Sequence, residues 1–412
     1  MLHRKVIMAI ADGSGDRPHP LLKHQTPLEY AHTPNLDRLA AEGITGMIDL
    51  IGTGIPVGTD MGHMILFGFK PEQYPGRGPI EALGVGIDIQ PGDVVLRCNF
   101  ATVENGVVLD RRAGRIREHT DKLAESISGI EVAEGIYAYC KPATEHRAVL
   151  VLRGQGLSDQ ISDSDPKAPN DGKPYLPVQP LEDTLEVRRT AAAVNRFLEI
   201  SSRILSSHPV NEERVANGLL PANFILTRGA GSMVELEPIV SKMNFQGCCI
   251  AAESTVLGVA KLAGYTTITD IRLTGSMDTD VELKAKLALE QIVHHDIVYV
   301  HLKAPDLMGH DNEPLKKAQS LEMFDRMVGI IADQLSEDVY LALAADHSTP
   351  CEVKEHTGEP VPVVIYGPSI RRDRVTSYNE MDCAYGALGR MSGSEFVRTL
   401  HGLMGYVKKQ GN

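Results

Sequence analysis

Apolar residues follow one pattern at both ends of the chain. Short continuous apolar runs occupy positions 6–11, 296–302, 339–345 and 362–366, and apolar residues recur at helical spacing over 35–42 and 315–335. Continuous short runs are typical of parallel strands that are covered on both faces. Because these runs alternate with helical stretches, we predict one α/β domain built from both ends of the chain.

The middle of the chain has a different pattern. Strand-like runs at 94–96, 107–109 and 148–152 are separated by turns, and a loop rich in Asp, Pro, Ser and Gly follows at 158–180. A helical stretch at 185–207 completes this region. We therefore predict a smaller α+β domain, residues 91–209, inserted into an α/β domain formed by residues 1–90 and 210–412.

Composition and charge exclude several classes of protein. A net charge of −13 argues against nucleic acid or an anionic membrane as partner, although local clusters of cations can still bind a small anionic substrate. We find no apolar run of about 18 residues and no cleavage-type leader, and therefore predict a cytoplasmic location. The six cysteines include no CxxC pair, and the adjacent Cys248 and Cys249 are predicted to be buried free thiols.

Six candidate metal ligands come at or soon after the ends of predicted strands. They are Asp12, Asp306, His310, Asp346, His347 and His356. The carboxyl ends of parallel strands meet at one edge of a sheet, and mixed carboxylates and imidazoles suit Mn²⁺ or Zn²⁺, with Mg²⁺ or Co²⁺ as alternatives. Six ligands are enough for two ions with open positions. Each Asp also has a structural interpretation as a turn or capping residue, and Pro305 and Gly309 favour a loop around Asp306.

Thr59 is the candidate nucleophile. It lies in a glycine-rich stretch, 52–68, between Gly58 and Asp60. If Thr59 opens a helix over 59–66, its hydroxyl lies beside the backbone N–H groups of a helix N-terminus, where phosphate binds readily. The alternative is that Thr59 is an N-cap and that the glycines are only turn residues. Because candidate metal ligands occur in the same chain, we favour the interpretation of Thr59 as the nucleophile.

Further motifs follow one another along nearly the whole chain. They are Asp12-Gly-Ser-Gly-Asp-Arg-Pro18, Thr33-Pro-Asn-Leu-Asp37, Gly58-Thr59-Asp60, Arg77-Gly-Pro-Ile-Glu81, Arg97-Cys-Asn99, Asp110-Arg111-Arg112-Ala-Gly-Arg115, Ala222-Asn223, Arg228-Gly-Ala-Gly231, Asp346-His-Ser-Thr-Pro350 and His356-Thr-Gly-Glu-Pro-Val-Pro362. In this order they resemble the archaeal-type cofactor-independent phosphoglycerate mutases of the alkaline phosphatase superfamily.

The resemblance implies an alkaline-phosphatase-like α/β fold, in which helices flank a mostly parallel sheet and a smaller α+β cap domain is inserted. It implies phosphoryl transfer between 3- and 2-phosphoglycerate through a phosphothreonine at Thr59, with two divalent metal ions. Asp12, Thr59, Asp346 and His347 would bind one ion, and Asp306, His310 and His356 the other. No nucleic acid or membrane partner is implied, and a homo-oligomer is compatible with the sequence.

The predicted cap is rich in cations that suit a phosphorylated acid, because arginine forks match carboxylate and phosphate groups. We predict that Asp110 and Arg111 act in catalysis, and that the substrate ligands are Arg97, Arg112, Arg115, His146 and Arg147. The alternative for this cluster is a solvated basic face, above all for Arg115 and Arg117.

Two departures from the family pattern keep a second function open. The family's nucleophile is usually serine, where this chain has Thr59, and a lysine commonly precedes the glycine aligned with Gly258, where this chain has Leu257. Lys261 and Lys303 are the candidate replacements for that lysine. The alternative function is a metal-dependent phosphohydrolase or phosphonate-pathway relative acting on a phosphoglycerate-like acid.

Overall fold

The computed structural model describes residues 4–143, 145–167, 172–233 and 235–411. Within these residues the chain forms two compact units. Unit 1 comprises the segment that ends at Tyr74 and the segment that begins at Glu237, and unit 2 runs from Pro75 to Leu236. Each unit has its own sheet and its own hydrophobic core.

Unit 1 is the α/β unit. Its first segment contains β1 (Lys5–Ala11), α1 (Pro27–Tyr30), α2 (Pro34–Glu42), β2 (Ile44–Asp49) and α3 (Thr59–Phe67). Unit 2 follows in the chain and contains α4 (Arg77–Gly84), β3 (Val94–Glu104), β4 (Val107–Asp110), α5 (Thr120–Ser126), β5 (Ile130–Ala133), β6 (Ile136–Pro142), β7 (Arg147–Arg153), α6 (Leu185–Ser206), α7 (Pro209–Ala216) and β8 (Phe224–Ser232).

Unit 1 resumes after β8. Its second segment contains α8 (Ile239–Met243), β9 (Gly247–Ile250), α9 (Ser254–Leu262), β10 (Thr266–Ile268), α10 (Val281–Gln291), β11 (Ile297–Leu302), α11 (Ala304–His310), α12 (Pro314–Asp333), β12 (Val339–Ala344), β13 (Val361–Tyr366), α13 (Glu380–Cys383), β14 (Gly389–Ser392) and α14 (Gly393–Met404). Short 3₁₀ helices cover Pro20–Leu22 and Pro71–Gln73.

The unit 1 sheet has the strand order β10-β9-β11-β1-β12-β13-β2-β14. Strands β10, β9, β11, β1 and β12 run parallel to one another, whereas β13 pairs antiparallel with both of its neighbours. Helices cover both faces, which is why these strands read as continuous apolar runs. Side chains such as Ile7 and Ala9 join a core with α2, α10 and α12, and Tyr299 stacks on Phe67 of α3 on the other face.

The unit 2 sheet is antiparallel. Its strand order is β4-β3-β7-β6-β5, and β8 also pairs with β3. One face packs on α5, α6 and α7 through the larger core of this unit. The predicted fold class, a mostly parallel sheet flanked by helices with a smaller α+β domain, is confirmed by these two architectures.

The compact unit in the middle of the chain is longer than the predicted insertion at 91–209. On its N-terminal side, Ala82 of α4 packs against Val95, Val149 and Val151 of the sheet. On its C-terminal side, β8 pairs along most of β3. These contacts extend unit 2 to Pro75 and Leu236.

The expected loop around Asp306 and His310 is wrong, because both residues lie on α11. Pro305 occupies the first turn of this helix, where its missing N–H group needs no acceptor. Gly309 lies in the last turn, where a Cβ would come 2.4 Å from the Thr349 carbonyl oxygen. The glycine therefore permits a close helix–loop contact.

Two further expectations concern burial and membrane insertion. All six cysteines are free and buried, as predicted for Cys248 and Cys249. Among the described helices, none combines the length and the apolar composition that crossing a bilayer requires.

Candidate active site

Three neighbouring parallel strands bring the candidate ligands to one edge of the unit 1 sheet. Asp12 directly follows β1, and Asp346 and His347 follow β12. The helix that carries Asp306 and His310, α11, follows β11. Because β11, β1 and β12 pair in parallel, their carboxyl ends lie side by side and the loops after them converge.

We call the first set of donors group 1: Asp12, Thr59, Asp346 and His347. The Nε2 atom of His347 lies 3.2 Å from Thr59 Oγ1, 3.2 Å from Asp346 Oδ2 and 3.4 Å from Asp12 Oδ1. All four side chains are buried. Burial by itself would raise the pKa of Asp346, but His347 and His63 outweigh it and hold that pKa well below its ordinary value. Group 1 therefore keeps a negative charge in the interior.

We call the second set group 2: Asp306, His310 and His356. The two imidazole Nε2 atoms lie 3.1 Å apart, and each is 3.4 Å from Asp306 Oδ1. The Nδ1 atoms of His310 and His356 each lie 2.9 Å from a backbone carbonyl oxygen, which can only accept a hydrogen bond. Each Nδ1 therefore carries the proton, and in the neutral rings both Nε2 lone pairs point toward one another. A shared cation stabilises such an arrangement.

The spacing of the donors fits divalent metal ions. Ligand atoms about 2.0–2.2 Å from one ion lie roughly 2.8–3.6 Å from each other in octahedral or tetrahedral geometry. The distances within both groups, 3.1–3.4 Å, fall inside that range. The buried Asp346 Oδ2 also faces two imidazole nitrogens, His63 Nδ1 and His347 Nε2, each at 3.2 Å. Among the described residues, three overlapping clusters have donor atoms within 4.8 Å of one another and are candidate ligand sets for divalent metals: Asp12 with Asp346 and His347, Asp306 with His347 and His356, and His310 with Glu355 and His356.

Lys303 is the cation nearest to both groups. Its Nζ atom donates to Asp306 Oδ2 at 2.6 Å and lies 3.2 Å from both carboxylate oxygens of Asp12. The same atom is 3.4 Å from Thr59 Oγ1. Burial by itself would lower the pKa of Lys303, but Asp12 and Asp306 raise it above its ordinary value. An ammonium group therefore lies beside the candidate nucleophile.

Two residues that the sequence patterns did not reveal contact the candidate ligands. His301 Nε2 lies 2.7 Å from Asp12 Oδ2. The Thr349 hydroxyl donates to Asp306 Oδ1 at 2.6 Å and lies 3.0 Å from His347 Nδ1, which can donate to it in turn. When Nδ1 of a neutral His347 donates to Thr349, the lone pair of its Nε2 atom is free to bind a metal ion. The signal for His301 was a lone imidazole within an apolar strand.

Thr59 is the first residue of α3, and Gly58 is the N-cap. The interpretation of Thr59 as an N-cap is therefore wrong, and its hydroxyl instead lies near His347 Nε2 and the Lys303 ammonium group. Gly62, one turn further along α3, lies so close to the Asp346 loop that a Cβ would come 2.4 Å from the Asp346 carbonyl oxygen. This contact brings the start of α3 against the ligand loop, and Thr59 is only 6% exposed.

Unit 2 presents arginines on one face of its sheet. Arg97 is directly opposite Arg228 in the pairing of β3 with β8, and Asn99 is opposite Arg147 in the pairing of β3 with β7. Directly opposite residues share a face, and so do residues two apart on one strand. Glu81 pairs with Arg97 at 2.8 Å. Arg228 belongs to the motif at 228–231, but the sequence indicated no role for its side chain.

The pKa of His146 is lowered in the neighbourhood of these arginines. This residue is buried, and burial together with Arg147 and Arg112 lowers its pKa to about 4. Arg111 makes a bidentate pair with Asp165, with both N–O distances at 2.7 Å. This pair is buried, so it holds the loop around Asp165 against the end of β4.

The remaining predicted residues of this region have local roles in the structure. Asp110 accepts hydrogen bonds from the backbone N–H groups of Arg112 and Gly114 and so stabilises the turn after β4. Arg112 and Arg115 are exposed, and Arg115 adopts a positive φ of 56° in that turn. Arg117 pairs with Glu145 at 2.9 Å.

Comparisons with known proteins indicate the family of this chain. The family model described as 2,3-bisphosphoglycerate-independent phosphoglycerate mutase matches residues 40–211. Proteins of that name from Methanopyrus kandleri and Methanocaldococcus jannaschii are 45% and 43% identical to this chain, with at least 99% of each chain covered.

Two solved structures are similar over nearly the full chain. A protein from Pyrococcus horikoshii is 35% identical, with complete coverage of both chains and a TM-score of 0.86. A cofactor-independent phosphoglycerate mutase from Thermoplasma acidophilum is 34% identical, with 97% and 99% coverage and a TM-score of 0.71. The family predicted from the motifs is confirmed: the chain belongs to the 2,3-bisphosphoglycerate-independent phosphoglycerate mutases, which are isomerases.

Proposed function

We propose that this chain interconverts 3- and 2-phosphoglycerate without added bisphosphoglycerate, and that Thr59 carries the phosphoryl group between the two positions. The observation that supports Thr59 most directly is its surroundings. Its hydroxyl lies 3.2 Å from His347 Nε2 and 3.4 Å from the Lys303 ammonium group, at the first turn of a helix. Few hydroxyls in a protein have a cation, metal-type ligands and a helix N-terminus as neighbours.

We assign group 1 and group 2 to one divalent ion each, with Mn²⁺ or Zn²⁺ preferred and Mg²⁺ or Co²⁺ as alternatives. Bound ions of this kind supply Lewis acidity and neutralise the charge of a transferring phosphoryl group. The two groups share neighbours, because the Thr349 hydroxyl contacts both Asp306 and His347. Movement of one group is therefore expected to disturb the other.

The transfer proceeds in two chemically equivalent displacements. In the first, Thr59 Oγ1 gives up its proton and forms a bond to phosphorus as the bond to the 3-oxygen of glycerate breaks, and that oxygen takes up a proton in exchange. In the second, the 2-hydroxyl attacks the phosphothreonine and restores the threonine hydroxyl, so atoms and protons balance over the cycle. Lys303, which remains an ammonium group, stabilises the negative charge on the transferring oxygens.

We assign recognition of the substrate anion to the cations of unit 2. Arg97, Arg112, Arg115, His146 and Arg147 keep the substrate-binding role predicted for them, and Arg228 joins them because it lies opposite Arg97 in the sheet. Asp110 and Arg111 keep their predicted catalytic role as a proposal. Arginine forks suit both a carboxylate and a phosphate. The predicted cytoplasmic location and self-association stay predictions.

The second candidate function is hydrolysis of a phosphoglycerate-like acid or a related phosphonate-pathway reaction. Two observations favour it: Thr59 replaces the usual serine, and Leu257 on α9 replaces a lysine. Lys303 compensates for that lysine in our proposal, because its ammonium group is already near the hydroxyl. Release of inorganic phosphate without isomer formation would identify the hydrolase.

Thr59→Ala tests the nucleophile in a coupled assay for 2-phosphoglycerate without added bisphosphoglycerate. We expect turnover to fall to background, whereas Thr59→Ser retains it because the hydroxyl is preserved. Thr53→Ala is the matched control, since Thr53 is an exposed threonine of the loop before α3 and its loss should leave turnover unchanged. Wild-type turnover by Thr59→Ala would reject the assignment. Chelation by EDTA should abolish the reaction, and Mn²⁺ should restore it.

A further inference from the structure

Lys317 of α12 is a completely buried lysine outside both ligand groups. Its ammonium group has three acceptors: Asp16 Oδ2 at 2.8 Å, the Thr349 carbonyl oxygen at 2.9 Å and the Gly15 carbonyl oxygen at 3.2 Å. An ammonium group has three donors, so all of them are satisfied. Burying a charge is unfavourable unless it is paired and hydrogen-bonded, which makes such a complete set of acceptors informative.

The three acceptors belong to the loops that carry metal ligands. Gly15 and Asp16 follow Asp12 in the loop after β1, and Thr349 follows His347 in the loop after β12. The backbone N–H group of Thr349 also donates to the Gly15 carbonyl oxygen at 3.0 Å. Lys317 therefore ties the two loops to each other and to α12.

Asp16 makes further hydrogen bonds through its carboxylate and through its backbone N–H group. Its carboxylate accepts from the backbone N–H groups of Arg17 at 2.7 Å and Cys351 at 3.1 Å. Its own N–H group donates to Glu380 at 3.2 Å, and the Thr26 hydroxyl donates to the other carboxylate oxygen of Glu380 at 2.8 Å. The acceptor that pairs with Lys317 is thus fixed by several elements of unit 1.

Thr349 connects Lys317 to both groups of candidate metal ligands. Lys317 holds the carbonyl of this residue, and its hydroxyl contacts Asp306 and His347, one ligand from each group. A rotation of the Thr349 backbone would therefore misalign donors of group 1 and group 2 together. Groups that orient metal ligands typically change metal affinity about 10–100-fold when they are removed.

We infer that Lys317 is a positioning residue for the metal site: its buried ammonium group sets the spacing of the ligand loops and thereby the affinity of both groups for divalent ions. This inference rests on the metal ligands assigned under the proposed function. Lys317 contacts none of these ligands through its side chain, so its effect is transmitted by the two loops.

The test compares Mn²⁺ binding by metal-free wild type and Lys317→Met, followed by calorimetry and by electron paramagnetic resonance of the free ion. We expect the dissociation constants of Lys317→Met to rise about 10–100-fold. The absorption bands of bound Co²⁺ should also shift, because they report the geometry of the ligands. These readouts are independent of turnover.

Asp325→Ala is the matched control. Asp325 is a buried charge on the same helix, but it accepts hydrogen bonds from Asn35 and Leu36 of α2. This variant should lower the melting temperature of the metal-free protein without changing Mn²⁺ affinity. If Lys317→Met behaves in the same way, losing stability but binding Mn²⁺ like wild type, Lys317 is only structural and the inference is overturned.

A double variant covers the case in which Lys317→Met does not fold. Lys317→Met with Asp16→Asn removes both charges, so no buried carboxylate is left without its counter-ion. We expect this protein to fold and still bind Mn²⁺ more weakly, and wild-type affinity would refute the inference. Failure of the wild type to bind Mn²⁺ would instead refute the metal assignment itself.

Discussion

Gly62→Ala adds one methyl group at the contact between α3 and the Asp346 loop. The new Cβ would lie 2.4 Å from the Asp346 carbonyl oxygen and 2.9 Å from Asp346 Cβ. Both neighbours are buried parts of a ligand residue rather than the flexible end of a side chain. The strain must therefore be relieved by movement of the helix that begins at Thr59 or of the loop that carries Asp346.

The size of this movement follows from the contact distance. Ordinary packing needs about 3.5 Å between such atoms, so relief requires a shift of roughly 1 Å. Overpacking typically destabilises by about 1–3 kcal/mol, and the better helix propensity of alanine offsets about 1 kcal/mol of this. We expect a net loss of about 0–2 kcal/mol and a fall in melting temperature of up to roughly 6 °C. A displacement of about 1 Å at Thr59 should reduce kcat about 100-fold.

Gly402→Ala provides the control for the same chemical change. Gly402 lies within α14, and a Cβ there would meet only Val407 Cγ2 at 4.0 Å. Only the higher helix propensity of alanine then affects stability. We therefore expect the free energy of unfolding to rise by up to about 1 kcal/mol, with unchanged kcat. Calorimetry and the coupled mutase assay measure both variants side by side. A Gly62→Ala protein with wild-type kcat and melting temperature would refute the idea that this contact positions the nucleophile.

Two further predictions concern protons and the buried ion pair of unit 2. Burial by itself would lower the pKa of His356, but Asp306 raises it above its ordinary value, so protons compete with the metal ion for group 2. The apparent affinity for Mn²⁺ should therefore be highest above this raised pKa and should fall as the pH drops through it. A Mn²⁺ dissociation constant that calorimetry finds to be the same at pH 8 and pH 6 would contradict this prediction. Arg111→Ala leaves the buried Asp165 carboxylate unpaired, so the free energy of unfolding should fall by about 3–5 kcal/mol. Arg111→Ala with Asp165→Ala should recover part of that loss in urea denaturation, and a double variant whose loss equals the sum of the losses of the two single variants would show that the pair is not coupled.

Local sequence patterns determined the elements of this protein closely. The apolar run at 6–11 is the strand Lys5–Ala11, and the helical pattern at 185–207 is the helix Leu185–Ser206. Strand and helix periodicities depend on neighbouring residues only, so a single chain reveals them. The same patterns predicted that Asp12 and Asp346 lie close together, because the carboxyl ends of parallel strands meet at one edge of a sheet.

Sequence patterns were less informative where packing overrides local preference. The helix that carries Asp306 forms although its proline and glycine favoured a loop, because Pro305 lies in its first turn and Gly309 faces Thr349 at close range. The extent of unit 2 was also not visible locally, because it depends on α4 packing on the sheet and on β8 pairing with β3.

The sequence by itself determined which residue types this protein has for metal and phosphate chemistry and which strands lead to them. Only the tertiary structure decided that His310 meets His356, that Lys303 lies beside Thr59, and that a buried lysine joins two ligand loops. The physical reason is that the distance between side chains remote in sequence depends on strand order, register and helix packing. These are properties of the whole folded chain, and no local pattern of residues encodes them.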